Sequence, residues 1–477
     1  MLRNDAFKIL LSTGTGKVGI LFFLVLIGVS LYVVAAFPLD FGLKRWNNPT
    51  MWADNPKSVP PAWVGFFDSS RRPGHKEFKT SQPTSMMPAG AAESRLYRFQ
   101  VDYKDGAVPT FLSFSISDVS FQQAPPVLTV RLFRPDGKEV VLLREVVRGP
   151  RSGETSPYAR YVDSPLRFNL SGSDTTLNNV SSFLSQEYGV DVTPRALVGD
   201  VEEALFGTPV DGGRISYEVL PGKYTVEVSA VVRHARDTIG EVKVVLGGAS
   251  FGLMGTDSLG RDLIKGLLFG FPVALIIGII TAILTTFIGT FMGIVSGFSG
   301  GKTDLVIQRS SDVLSNIPLL PLLIFLIFIL GQKLWLVVAI LVAFGWPGLA
   351  IVVRSMVLQI RSGQLVEATR VLGASRWRIM FRHIFFQIAP YILAQMIFFT
   401  PSAILAEAGL SFLGLGDPSI PTWGQILESG FRTGAVYVGY WWWVLPPGIL
   451  VVLTALTFML LTLGLEPVVN PRLRRAS

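Results

Sequence analysis

The sequence predicts a polytopic α-helical membrane protein of about six transmembrane helices, with a large β-rich, sandwich-like extracytoplasmic domain inserted between helices 1 and 2. Three observations predict it. Apolar residues make up 49% of the chain and charged residues only 16%, too greasy a balance for an ordinary soluble domain. Apolar runs near the length that crosses a bilayer recur through the second half, and one stands near the start. Between Pro38 and about Gly252, charged residues, Pro, Gly and Ser become frequent and no run could span a membrane.

The spans are read at Val18–Phe37, Phe271–Ile294, Ile317–Leu330, Leu334–Val353, Phe386–Leu405 and Trp443–Leu463. Pro318 and Pro321 interrupt the start of the third, which either begins there or runs as a continuous helix from near Ile307. Lys and Arg set the orientation, because short cytoplasmic loops carry their excess. Arg3, Lys8 and Lys17 precede the first span; Lys302 and Arg309 follow the second; Arg354 through Arg382 follow the fourth; Arg472, Arg474 and Arg475 follow the last. With six spans all four clusters share one side, so both termini and the loop around Glu367 are expected in the cytoplasm. Trp441, Trp442 and Trp443 stand where an outer aromatic belt would. The net charge of +8 follows from this asymmetry and calls for no nucleic acid. The first span is read as an uncleaved anchor: it exceeds a signal core, and Phe37-Pro38 is no small-x-small cleavage site. The chain has no cysteine, which excludes disulfides, thiol chemistry and sulfur-ligated metals.

The domains follow as residues 1–37 (cytoplasmic N-terminus and first helix), 38–252 (extracytoplasmic β-rich domain) and 253–477 (the remaining helices). Within the second, Val127–Phe133 and Glu139–Val146 flank the turn signal Pro135-Asp136-Gly137, and Ile215–Val219 and Tyr224–Val232 flank Pro221-Gly222 in the same way. Glu241–Leu246, the alternating Tyr97, Phe99, Val101 and Tyr103, and Phe111–Ile116 add strands. Tyr161–Phe206 reads as an excursion from the sheet, with helices at Val180–Tyr188 and Pro194–Leu205, and Pro49–Gly90 as an irregular connector. Asn169-Leu170-Ser171 and Asn179-Val180-Ser181 are glycosylation-type triplets. His75 and His234 are far apart, and no metal-spaced cluster or nucleophile motif is present, so the chain carries no enzyme signature and no metal site.

The most informative stretch is Glu367-Ala368-Thr369-Arg370-Val371-Leu372-Gly373, continuing through Ala374-Ser375-Arg376-Trp377-Arg378 to Arg382-His383-Ile384. Leu365, Ala368 and Leu372 recur at helical spacing, and Gly373 suits a left-handed helix end. A short amphipathic helix and a sharp corner are expected, lying between two apolar spans. This resembles the EAA loop of ATP-binding-cassette (ABC) importer permeases, where such a helix docks in a groove of the cytoplasmic ATPase. Met254-Gly255-Thr256-Asp257-Ser258-Leu259-Gly260-Arg261-Asp262 is similar to the signature of the C-type permease of peptide/nickel-class importers; Thr256 or Asp257 suits a helix cap, and Arg261 and Asp262 suit an interfacial anchor. Gly300-Gly301 with Asp304, Arg309, Asp312 and Pro318 is a further match. So are Glu407-Ala408-Gly409-Leu410-Ser411-Phe412-Leu413-Gly414-Leu415-Gly416 with Pro421-Thr422-Trp423-Gly424, and Asn470-Pro471-Arg472-Leu473-Arg474. The chain departs from the family in having Ile384-Phe385-Phe386 where Ile-Leu-Pro is common, although Pro390 returns at its place. The family offers no precedent for the large insertion.

The resemblance implies a peptide-class (oligopeptide or dipeptide) ABC importer permease in the inner membrane of a prokaryote, with an EAA loop at about residues 361–386 and half of a translocation path. It implies ATPase coupling through Glu367, Ala368, Thr369, Arg370, Leu372, Gly373, Ala374, Ser375 and Arg376; an interfacial signature at Gly255, Thr256, Asp257, Gly260, Arg261 and Asp262; and pathway or outer-gate roles for Glu407 and Ser411. Expected partners are a B-type permease, one or two ATPase subunits, an extracytoplasmic substrate-binding protein and lipid. This chain itself binds no cofactor in that scheme, and ATP and Mg²⁺ belong to the ATPases: Gly297–Thr303 resembles a phosphate loop, but Ser296 stands where a Walker A loop needs Gly. The insertion would receive the binding protein, cap the outer entrance or act as a spacer. The rivals are a membrane-anchored extracytoplasmic sensor or binding protein, and a secondary transporter, which would need intramembrane charges and repeated halves that are not apparent.

Overall fold

The computed structural model describes residues 10–38, 40–67, 72–90, 92–103, 108–210 and 216–469. They form two compact units: Met1–Pro49 with Leu263–Ser477, and Thr50–Asp262. The units divide after Pro49 and after Asp262, both later in the chain than the limits of Pro38 and Gly252 that composition suggests, because hydropathy marks where an apolar run ends and not where contacts change. Arg3, Lys8, Ile215 and the stretch from Asn470 lie outside the described residues.

Helix α1 (Gly14–Ala36) opens the first unit, its start capped by Thr13, whose Oγ1 accepts from Gly16 N at 3.1 Å. Leu21, Leu24, Leu31 and Tyr32 stay exposed on it, as they would toward lipid.

In the second unit the strands are β1 (Lys76–Thr80), β2 (Ser85–Ala89), β3 (Ala92–Tyr103), β4 (Leu112–Phe121), β5 (Val127–Phe133), β6 (Glu139–Val146), β7 (Tyr158–Arg160) and β8 (Leu166–Asn169). Helices α2 (Asp174–Tyr188) and α3 (Val201–Phe206) follow, then β9 (Gly207–Val210), β10 (Ser216–Val219), β11 (Gly222–Val232) and β12 (Thr238–Leu246). One sheet runs β1-β12-β4-β7 with β8 beside β4; the other runs β2-β3-β11-β5-β6; β9 and β10 pair separately. Alternating residues of both sheets, among them Tyr97, Phe99, Phe114, Ile116, Val130, Leu132, Val226, Val228, Val242 and Val244, meet in one core.

Three expectations change. Pro221-Gly222 does not close a hairpin: β10 pairs with β9, and β11 lies between β3 and β5. A turn signal fixes a change of direction without naming the next partner; here Gly222, at φ +147°, passes against the Pro135 ring. Residues 49–90 are not wholly irregular, since they hold β1 and β2. The segment 161–206 is no detached excursion, because Val180, Leu184, Leu205 and Phe206 share the sandwich core. Its second helix is a 3₁₀ turn, Pro194–Leu197, then α3, parted by Gly199 at φ +96°.

Arg134 ties those helices to the β5–β6 turn. Its buried guanidinium donates to the carbonyls of Ala204 (3.1 Å), Leu205 (2.6 Å) and Gly207 (2.9 Å), to Tyr188 Oη (2.9 Å) and to Asp136 Oδ2 (3.1 Å). Burial raises the Asp136 carboxyl, but Arg134 and the other donors outweigh it and hold the group below its ordinary value.

The first unit resumes with α4 (Leu263–Ser299), α5 (Gly301–Ser315), α6 (Leu319–Leu330), α7 (Leu334–Arg361), α8 (Gln364–Val371), α9 (Arg376–Phe412, wound as a π-helix over Ile379–Ile384), α10 (Trp423–Arg432) and α11 (Trp441–Val469). Among the described residues five helices are long and apolar enough to cross a membrane, and α5 with α6 form a pair bent by 83° that would make a sixth. The third span is therefore not continuous from Ile307. Pro318, in an extended conformation at the start of α6, breaks it.

Replacing Arg134 with Ala removes the donor shared by three carbonyls and leaves Asp136 without its cation, with only Tyr188 Oη and Lys138 N still donating to it. Hydrogen exchange of α2 and α3 amides in the full chain should accelerate by about a hundredfold, the equivalent of about 3 kcal/mol; unchanged protection would show that the apolar core alone holds the helices.

Candidate functional site

Helix α8 begins after Gly363 and ends at Gly373, whose φ is +76°. Gly373 N donates to Arg370 O at 3.0 Å and Ala374 N to Thr369 O at 3.1 Å. These are the two bonds of a Schellman ending, in which Gly is favoured because a Cβ resists the left-handed conformation. Ser375 then caps the next helix, its Oγ accepting from Arg378 N at 3.3 Å. The corner is thus fixed by backbone bonds, with Ser375 the side chain that starts the helix after it.

Only Val366 of α8 is buried, packed with Ile294 of α4, Val353 and Val357 of α7, and Ile379, Met380 and Ile384 of α9. Leu365, Ala368 and Leu372, the stripe at helical spacing, are on the exposed side with Val371; Leu372 is 84% exposed. Glu367, Arg370, Arg376 and Arg378 are exposed beside them. Apolar groups held open to solvent amid charges, on a helix fixed from beneath, make a surface that a protein partner can cover. Behind the corner, Trp377 and Phe381 stack at 5.5 Å and both face Phe291 of α4, at 6.4 and 5.9 Å.

The helices beneath are held by short-range contacts that the sequence reading missed. Gly289, Gly293 and Gly297 recur every fourth residue on α4; a Cβ on Gly293 would lie 2.6 Å from Val353 Cβ, and one on Gly297 would lie 2.9 Å from Arg354 O. The repeat Gly-x-x-x-Gly-x-x-x-Gly in an apolar run was the available signal. Gly300 (φ +64°) and Gly301 (φ +57°) turn the chain into α5. This lets Asp304 receive Arg354 of α7 in a two-pronged ion pair, both bonds 2.6 Å, with Gln308 donating to Ser296 at 3.1 Å alongside. Arg361 donates to Gly297 O at 3.0 Å.

At the other end of α9, Glu407 is buried, and Ser411 Oγ donates to its Oε1 at 2.6 Å. Thr422, the cap of α10, reaches Ser411 at 3.4 Å. Gly414 (φ +79°) closes α9 as Gly373 closes α8, with Gly414 N on Ser411 O and Leu415 N on Leu410 O, both at 3.0 Å. Asp417 then accepts from Leu334 N at the start of α7 at 3.1 Å, where the helix dipole favours a carboxylate. Trp423 lies on Gly270 and donates to Leu267 O at 2.9 Å; Trp46 lies on Gly266.

Gly255–Asp262 falls within the second unit. Thr256 Oγ1 donates to Pro56 O at 2.7 Å and accepts from Val59 N at 3.2 Å; Asp257 accepts from Leu259 N and Arg261 N, both at 2.9 Å, and pairs with Arg261 Nε at 2.5 Å. Gly260, at φ +79°, passes Trp52 O too closely for a Cβ. Thr256 and Asp257 therefore do not cap α4, which starts at Leu263; they fold the signature onto Trp52–Val59. Arg261 is turned onto Asp257.

A multi-pass bundle with an exposed, tightly cornered helix between two long apolar ones is a membrane subunit with a surface open to a protein partner. The model for the family described as "binding-protein-dependent transport system inner membrane component" matches residues 289–475. The dipeptide transport system permease protein DppC of Bacillus subtilis is 35% identical over 222 residues, 46% of this chain and 69% of that protein. The oligopeptide permease OppC of the same organism is 34% identical over 46% of this chain and 72% of its own length, and OppC of Haemophilus influenzae is 33% identical over 46% and 70%. The solved inward-facing MetNI methionine ABC transporter is a weaker likeness, with TM-score 0.34 and 19% identity over 45% of this chain and 95% of that one. The chain belongs to the inner-membrane components of binding-protein-dependent transport systems, the permease subunits of ABC importers. The family is one of transport subunits and not of enzymes, and the matched residues contain α8 and the corner but not the β-rich unit.

Gly293→Leu should pry α4 from α7 and lower the thermal midpoint of the detergent-purified chain, overpacking of this kind costing about 1–3 kcal/mol. Gly348→Leu, where a Cβ meets nothing within 4 Å, is the control and should move it far less.

Proposed function

We propose that this permease carries short peptides or a related solute inward across the cytoplasmic membrane, driven by ATP and Mg²⁺ bound on separate ATPase subunits that dock on α8. The observation that carries the reading is the exposed Leu365, Ala368 and Leu372 stripe on a helix anchored through Val366. The names of the curated relatives support peptides as cargo. In this reading Glu367 pairs with an ATPase cation, Ala368 and Thr369 allow close approach, and Arg370 and Leu372 complete the contact. Gly373 and Ala374 make the corner, and Ser375 and Arg376 start the helix that follows.

ATP-driven closure of the ATPases moves α8. The motion enters the bundle through Val366 and through the stack of Trp377, Phe381 and Phe291, both seated against α4. Alternating access needs two arrangements that the partner favours differently, and a rigid α4–α7 pair moved as one body supplies the arm. A groove of about 450 Å³ between α4 and α9, lined by Thr286, Thr290, Phe291, Phe381, Phe385 and Met396, is assigned to the face shared with a second, B-type permease, which completes the path. Glu407 and Ser411, buried against each other, act at the outer gate by holding the loop before α10, and not as groups exposed to cargo. The Lys and Arg distribution supports both termini and α8 on the cytoplasmic side and the β-rich unit outside, where it receives the substrate-binding protein.

Affinity purification from native membrane should recover a second permease, one or two ATPases and a binding protein; recovery of this chain alone would sink the proposal. Leu372→Asp should cut ATPase recovery at least tenfold. A Cβ added at Gly373 meets no atom within 4 Å, so Gly373→Val acts chiefly through conformation, at about 1–2 kcal/mol; transport should fall several-fold while the amount of inserted protein stays unchanged, and a normal rate would show that the corner does not couple. Removal of residues 50–262 should impair delivery from the binding protein more than basal ATP hydrolysis; equal loss of both would make the unit a structural spacer.

A further inference from the structure

The β-rich unit carries an apolar knob that its own core does not use. The 3₁₀ turn Ala62–Phe66 and the residue after it present Phe66 and Phe67 at 88% and 85% exposure, with Trp63 edge-on to Phe67 at 6.4 Å. The turn is pinned to the chain that leads into α4: Ala62 N donates to Gly252 O at 2.9 Å and Trp63 Nε1 to Leu253 O at 2.8 Å. Leu253 is 67% exposed and Leu259 51%. With the indole N–H satisfied, these five side chains offer apolar surface with no polar atom left to solvate.

We infer that Trp63, Phe66 and Phe67, with Leu253 and Leu259, rest in the headgroup layer of the outer leaflet and tether the β-rich unit to the bilayer. Chain continuity selects lipid as the occupant. Leu253–Asp262 is the last stretch before α4, an apolar helix long enough to cross the membrane. Fully extended, ten residues reach at most about 35 Å, and this stretch is folded back, with Thr256 bridged to Asp262 and Gly260 N bonded to Asp257 O at 3.0 Å. Leu253 is thus within ten residues of α4 along the chain, and Trp63 is hydrogen-bonded to it. Aromatic rings concentrate in that layer because an apolar body and a satisfied polar edge suit a boundary between hydrocarbon and water. The inference rests on the proposed placement of the unit on the outer side, and not on cargo or coupling.

The absence of cysteine makes the test direct. Phe66→Cys and Phe67→Cys, each with a nitroxide label, are placed in the full chain in vesicles of phosphatidylethanolamine and phosphatidylglycerol, and collisions with oxygen and with a water-soluble nickel chelate are compared. Val198→Cys, at a position 66% exposed elsewhere on the unit, is the aqueous reference. Labels at 66 and 67 should meet the chelate at least fivefold less than the reference and oxygen more. Leu253→Cys reads the same patch with the phenylalanines intact and should agree. Chelate access equal to the reference at all three sites overturns the inference. So does shielding from both reagents, appearing only when a second permease or a binding protein is added, because it makes the occupant a protein.

Discussion

The close approach of α4 and α7 is the constraint on which the membrane unit depends. In a bilayer, apolar side chains gain little by leaving lipid for one another, so helices associate by packing, and backbones approach closely only where small residues allow it. Gly289, Gly293 and Gly297 put a bare strip of α4 against Trp346, Ala350 and Arg354 backbone and the Leu349, Val353 and Val357 side chains. The other glycines of α4 continue the same logic on other faces. Gly278 admits Thr400 and Ile404 of α9, while Gly266 and Gly270 seat the rings of Trp46 and Trp423. Helix α4 is thereby the spine against which α1, α7, α9 and α10 are placed, and the Asp304–Arg354 pair locks the α4–α7 contact at the end where α8 begins.

On that spine the two stretches that most resemble the family perform one operation. Helices α8 and α9 both end in a glycine of positive φ with the bond pattern that satisfies their last carbonyls, at Gly373 and at Gly414. Each ending redirects the chain without spending side chains on it. After α8 the freed groups, Leu365 and Leu372 above all, remain open for a partner. After α9 the freed group is Asp417, which caps α7 and so ties the far end of the bundle to the same spine. Motif residues can therefore be essential without touching cargo, because what they fix is direction.

How much of this was legible depended on whether the signal was local. β5, β6 and the Asp136-Gly137 turn between them were readable because alternation and turn chemistry coincide there, and α8 because its corner needs Gly373. β2 was not, since Met86-Met87-Pro88 lacks the alternation of a half-buried strand; a proline is tolerated there because β2 is an edge strand. The helical stripe at Leu365, Ala368 and Leu372 was visible, but periodicity does not say which face is inward, and Val366 proved to be the anchor. The break at Pro318 was legible as a breaker, not as a bend of 83°. Arg134 gave no signal at all: a buried arginine is recognised only by its five acceptors, which arrive from Asp136, Tyr188, Ala204, Leu205 and Gly207.

The same distinction explains how a β-rich unit can be carried inside a helical transport subunit. An inserted domain is tolerated where its two chain ends lie together, for then it adds no strain to the host. Here the ends are sewn to each other within the unit. Trp52–Val59, just after its start, is bonded to Gly255–Asp262, at its finish, through Thr256 on Pro56 and Val59, Ser58 N on Asp257 O and Asn55 Nδ2 on Gly260 O at 2.8 Å. Gly260 is required because Trp52 and Asn55 backbone leaves no room for a Cβ. Neither sheet pairing nor the sandwich core takes part in this seam. The residues that read as an interfacial signature are thus the clasp of the insertion, and Asp257, buried and turned onto Arg261, holds the fold of that clasp within the unit.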